Sequence, residues 1–121
     1  MPIVDVEVVS ASTEFNPQPS LAALASALGR VFSSAPGRTW VRLRVLPDGC
    51  YAENDAPVSA ETLPVFVTVL QSSPPQGVAL QAQVEAVTQS VAAWLARSPE
   101  QVHVAYAPAA SGRQAFGGKL V

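Results

Sequence analysis

Charge is scarce in this chain. Of its 121 residues, 13% are Asp, Glu, Lys or Arg, against about a quarter in an ordinary soluble domain. Hydrophobic residues make up 49%. So little charge clothes a free surface poorly, and part of it is expected to be covered by other subunits. The formal net charge is -2 and Lys119 is the single lysine. That excludes the basic face a nucleic-acid binder needs. Cys50 is the single cysteine, which excludes an internal disulfide framework and a cysteine zinc cluster. No apolar run reaches the ~18 residues of a membrane helix. The N-terminus lacks the basic start and apolar segment of a signal peptide, so the expected location is cytoplasmic.

What is present is periodicity. Ile3 to Ser10 alternates Val4, Val6 and Val8 with Asp5 and Glu7, a strand pattern. Ala11 to Pro19 reads as a loop, and Ser20 as the N-cap of a helix from Leu21 to about Ser33. That helix carries the stripe Leu21, Leu24, Ala25, Leu28, Val31 and Phe32. Thr39 to Leu46 alternates again, with Trp40, Arg42 and Arg44 on one face and Val41, Leu43 and Val45 on the other. Pro47-Asp48-Gly49 is a turn.

The second half repeats the plan. Pro64 to Leu70 reads as a strand, Val78 to Arg97 as a helix with stripe Leu80, Val84, Val87, Val91, Trp94 and Leu95, and Val102 to Tyr106 as a strand. The chain is thus expected to be a single domain, 1–121, of two tandem β-α-β units at about 2–47 and 64–106, with a tail at 107–121. Two right-handed units form one four-stranded mixed sheet with both helices on one face, an α+β (α/β) fold. The other sheet face is left bare, apolar with occasional charge, and self-association is its simplest cover. In the tail, Phe116-Gly117-Gly118 signals a turn or bulge.

Three segments carry a family resemblance: Met1-Pro2-Ile3-Val4, Trp40 through Asp48, and Ser98 through Val104. With the duplicated layout, the chain resembles the tautomerase superfamily over nearly its whole length. In length it is similar to the macrophage migration inhibitory factor-like members. The resemblance implies a homotrimer with a central barrel, and active sites at the subunit interfaces centred on an N-terminal proline. The expected substrate is a small anionic 2-oxo acid, and no cofactor, metal, nucleic-acid or membrane partner is expected.

Pro2 is the first candidate catalytic residue. Removal of Met1 would expose a secondary amine, and burial or nearby cations lower such a pKa toward neutrality, where a base is most useful. With Met1 attached the nitrogen is an amide and the site is inactive. Proline also opens strands for structural reasons, and Pro64 occupies the repeated position without any free amine.

Arg42 and Arg44 share a strand face, so they suit a carboxylate or a developing enolate; salt bridges or solvation are the structural reading. An arginine at the Arg42 position is shared with 4-oxalocrotonate tautomerase-like members. Arg38 neighbours the loop position of a substrate-binding lysine in the migration inhibitory factor-like members. By the same resemblance His103 falls where those members carry an active-site tyrosine from the adjacent subunit; a histidine bonded to backbone is the plainer role. Ala105 replaces the family's asparagine, a departure that bears on the phenylpyruvate-type pocket. Trp40 and Phe116 are candidates to wall the site, or simple packing residues. Cys50 lacks a Cys-x-x-Cys partner, and Gly117-Gly118-Lys119 lacks the spacing of a phosphate loop.

The expected activity is keto-enol isomerisation by the Pro2 amine as general base. The alternatives are hydrolytic dehalogenation or decarboxylation on the same scaffold, with Asp48, Glu53 or Asp55 orienting water, and a non-catalytic trimeric binding protein.

Overall fold

A computed structural model describes residues 1–12 and 19–121; most of the loop expected at Ala11–Pro19 lies outside them. The structure is organised on strand β1 (Ile3–Ser10). Its even residues Val4, Val6 and Val8 are fully buried, while Ile3, Asp5 and Glu7 point the other way and are half-buried. The branched side chains of the even positions favour the pleated backbone and fill one face of it.

Strand β2 (Trp40–Pro47) runs parallel to β1, β3 (Val65–Leu70) runs antiparallel to it on the other side, and β4 (Val102–Tyr106) is parallel to β3. The order β2-β1-β3-β4 is the expected four-stranded mixed sheet. Helices α1 (Leu21–Val31) and α2 (Gly77–Leu95) follow β1 and β3. They bury Leu24 and Leu28 of α1, and Val87, Val91 and Trp94 of α2, against the valines of β1 and β3. No helix among the described residues is long and apolar enough to cross a membrane.

Both helices stop short of the expected ends. Ser20 does cap α1, its hydroxyl accepting the amide of Ala23. But Ser33 has φ of 53°, and the Ser34 amide turns back onto the Gly29 carbonyl, so α1 ends at Val31. Helix α2 ends because Ala96 is left-handed at φ 53°, with the Arg97 amide on the Ala92 carbonyl. Such backbone costs an alanine about 1 kcal/mol. It sends the Arg97 guanidinium back to the Leu63 carbonyl at 3.1 Å, tying the end of α2 to the start of β3. Burial pulls the Arg97 pKa down. Leu80 and Val84 are only half-buried, and the real α2 contact lies one to two turns later.

After β2, the expected Pro47-Asp48-Gly49 turn is displaced by one residue: Pro47 still belongs to the strand, and Asp48–Cys50 forms a single 3-10 turn. The tail closes as a hairpin, β5 (Ala115–Phe116) against β6 (Lys119–Leu120). Gly117 and Gly118 supply its two positive φ angles, 58° and 84°. The bare sheet face is more polar than expected. It is charged over β1 and β2, through Asp5, Glu7, Arg42 and Arg44, and carries Phe66, Thr68, His103 and Ala105 over β3 and β4.

Leu28 is wholly buried between α1 and the sheet. Leu28→Ala should therefore cost about 2–5 kcal/mol in urea unfolding. A loss within experimental error would contradict this packing.

Candidate functional site

Pro2 sits one residue before β1 and is buried. Its carbonyl accepts the amide of Trp40 at 3.0 Å, which ties the N-terminus to the start of β2. Alternation along β1 sends Pro2 with Val4 toward the helix side. There a hollow of about 320 Å³ opens, walled by Met1 and Pro2, by Phe32–Ser34 with Arg38, and by Gln71–Ser73.

Local bonds make this wall stiff. The left-handed Ser33 turns the chain out of α1. Thr39 donates its hydroxyl to Ser34 Oγ at 2.7 Å, and the Trp40 indole donates to the Gly37 carbonyl at 3.1 Å. The loop so braced points Arg38 at the N-terminus, with Nη1 3.3 Å from Met1 Sδ. Arg38 is the charged side chain among the described lining residues.

On the opposite wall, the antiparallel register pairs Ile3 with Leu70, so Gln71 lies across from Pro2. Gln71 Oε1 is buried and accepts no hydrogen bond. Nothing local in the sequence marks Gln71, whose place opposite Pro2 depends on the register of β3 with β1.

Arg42 occupies a different place. Its guanidinium grips Asp5 on the neighbouring strand, Nε to Oδ1 at 2.5 Å and Nη2 to Oδ2 at 2.8 Å. Arg44 stands opposite Glu7. All four side chains lie on the open sheet face, away from the Pro2 hollow of the same chain. The hydrogen bonds from Arg42, helped by the charges of Arg42 and Arg44, hold the Asp5 carboxyl below the usual carboxylate range against a smaller opposing effect of burial. Asp5 in turn raises the pKa of Arg42.

His103 lies beyond reach of Pro2 within one chain. It pairs with Phe66, which pairs with Glu7, five residues up β1 from Pro2. From strand rise and spacing, the two are on the order of 15–20 Å apart. The His103 ring packs 5.7 Å from Phe66, and Phe66 lies 5.9 Å from Tyr51, measured between centroids. The Tyr51 hydroxyl donates to Glu53 at 2.7 Å, which raises the phenol pKa. Trp40 and Phe116 meet edge-to-face at 5.2 Å beside the N-terminal end of β1, with Trp40 44% exposed.

Of the seven expected site residues, the chain therefore brings Pro2 and Arg38 together, puts Trp40 and Phe116 nearby, and sets Arg42, Arg44 and His103 on the open face. A larger hollow of about 500 Å³ lies along the outer side of α1, lined mainly by small side chains and Arg30. It contains no acid and base facing each other. Among the described residues, no three His, Cys, Asp or Glu side chains come together to hold a metal ion.

No protein-family model matches the chain, and no curated protein matches it in a sequence search. Its fold does match solved structures. One is a fused 4-OT in an asymmetric trimer, with TM-score 0.77 and 13% identity, covering 98% of this chain and 94% of that one. Another is macrophage migration inhibitory factor from Oncomelania hupensis, with TM-score 0.73 and 16% identity, covering 98% and 95%. A third is Pt0534 inactivated by 2-oxo-3-pentynoate, with TM-score 0.69 and 12% identity, covering 98% and 94%. At these identities the likeness establishes a shared fold.

The Asp5–Arg42 pair has a pH signature. A carboxyl whose folded pKa is depressed contributes stability above its unfolded pKa and loses it as pH falls through the folded one. Asp5→Asn should thus unfold at lower urea than wild type at pH 7. The gap should narrow as pH falls below about 4. A gap that is the same at pH 7 and pH 3 would contradict the ion pair.

Proposed function

We propose that this chain is a tautomerase-type isomerase that moves a proton on a small 2-oxo acid, using the free amine of Pro2 as its base. The observation that carries the reading is the pairing of buried Pro2 with Arg38 in one hollow, on a fold shared with fused 4-OT and macrophage migration inhibitory factor.

Each part has a physical role. Removal of Met1 turns the Pro2 nitrogen into a secondary amine. Burial and the Arg38 cation both disfavour its ammonium form, so the amine is neutral closer to physiological pH. The neutral amine takes the proton from the carbon beside the keto group. The electron pair moves onto the carbonyl oxygen, and the resulting ammonium returns the proton at oxygen. Arg38 holds the substrate carboxylate and offsets the negative charge that develops. Pt0534, on the same fold, is inactivated by 2-oxo-3-pentynoate, and that favours a 2-oxo compound here.

The assembly we propose is a homotrimer, as in the fused 4-OT structure. Within one chain His103 cannot reach Pro2, so any role it has at the amine would be played from a neighbouring copy. The same assembly would cover the open face and bury its Asp5–Arg42 pair. Arg42 and Arg44 then serve the subunit contacts, with Arg38 the anion-binding arginine. Dehalogenation or decarboxylation by added water is less well served. Asp48, Glu53 and Asp55 are the carboxylates that could orient water, and none lines the Pro2 hollow.

In a ketonisation assay on phenylpyruvate or 2-hydroxymuconate, protein lacking Met1 should turn over. Pro2→Ala should lower kcat/KM by about 10²-fold or more. Equal rates would sink the role of Pro2.

A further inference from the structure

A buried carbonyl oxygen without a donor is costly, and folded proteins rarely leave one so. Gln71 Oε1 is such an atom. Gln71 is one of the residues lining the Pro2 hollow, and it faces Pro2 across the antiparallel β1–β3 pair. Residues directly opposite in such a pair bring their Cβ atoms to about 5 Å. With Met1 attached, the Pro2 nitrogen is a tertiary amide and has no hydrogen to offer. Cleavage after Met1 gives it one hydrogen as a neutral amine and two as an ammonium. The acceptor thus lacks a partner in the one covalent state where its neighbour cannot donate.

The Gln71 backbone is also firmly held. Its main-chain carbonyl accepts the Ala110 amide at 3.0 Å, and the Ala107 amide bonds the Val69 carbonyl at 2.9 Å, so the 107–110 segment clamps the end of β3. We propose that Gln71 is a positioning residue for the Pro2 amine: its Oε1 accepts an N–H of Pro2 once Met1 is gone. This rests on the reading of Pro2 as the working base. The bond turns the remaining face of the nitrogen, and its lone pair, into the hollow toward substrate held by Arg38. It also favours the ammonium form, against Arg38, which disfavours it. Arg38 is the charged side chain facing Pro2; Phe32–Ser34 and Gln71–Ser73 present neutral groups.

The test is a ¹⁵N titration of the Pro2 amine in ¹⁵N-proline-labelled protein lacking Met1, which needs no turnover. Gln71→Leu, which removes the acceptor, should lower the Pro2 pKa by about one to two pH units. Gln71→Glu, nearly isosteric, should raise it. In the ketonisation assay, the low-pH limb for each variant should move in the same direction. For Gln71→Leu, kcat should fall about tenfold while KM stays within about twofold, since Arg38 holds the substrate carboxylate. A Pro2 pKa unmoved in both variants would overturn the positioning role. Failure of the underlying reading looks different: Pro2→Ala then keeps full activity, while the titration still reports on the contact itself.

Discussion

The parity of β1 is the constraint on which the rest depends. Val4, Val6 and Val8 must face the helices, because they are the residues that fill the core between sheet and helices. A strand alternates strictly, so a slip of one residue would bury Asp5 and Glu7 and expose the valines. With that parity set, Pro2 lies on the helix side at the mouth of a hollow, and Asp5 and Glu7 lie on the open face. The parallel register with β2 then delivers Arg42 to Asp5, and the antiparallel register with β3 delivers Gln71 to Pro2. Packing of three valines thus sorts the polar residues into two groups on opposite sides of one sheet.

The two groups have different chemistry because their surroundings differ. On the open face, two strands supply matched charges and two supply aromatic and small side chains. With Arg42 two-thirds exposed and Asp5 largely covered, the Asp5–Arg42 pair makes a modest contribution to a lone subunit. Its worth rises if a second copy covers it. At the hollow, the N-terminus meets one arginine and several neutral acceptors and hydroxyls. The hollow sets the Arg38 cation among neutral side chains, whereas the open face pairs its ions across neighbouring strands.

Much of this was legible in the sequence. The alternation in Ile3–Ser10 and the stripes of the two helices were enough for the doubled β-α-β layout, and the Gly117-Gly118 pair for a turn in the tail, though not for the two short strands it joins. The helix ends were not legible, since Ser33 and Ala96 adopt left-handed backbone that neither residue type advertises. The site was half legible. Arg42 and Arg44 share a face, as the spacing implies, but which partner each meets depends on strand register. Asp5 is the partner of Arg42, and nothing local in either segment announces it. Gln71 escaped for the same reason: its significance comes from the strand opposite.

All of this turns on one covalent fact, whether the nitrogen of Pro2 is free. The direct measurement is the intact mass of untagged protein purified from cells. The account predicts the mass of the chain without Met1. A mass that includes Met1 would leave Pro2 an amide, and would contradict the amine mechanism in favour of a non-catalytic binding protein on the same fold.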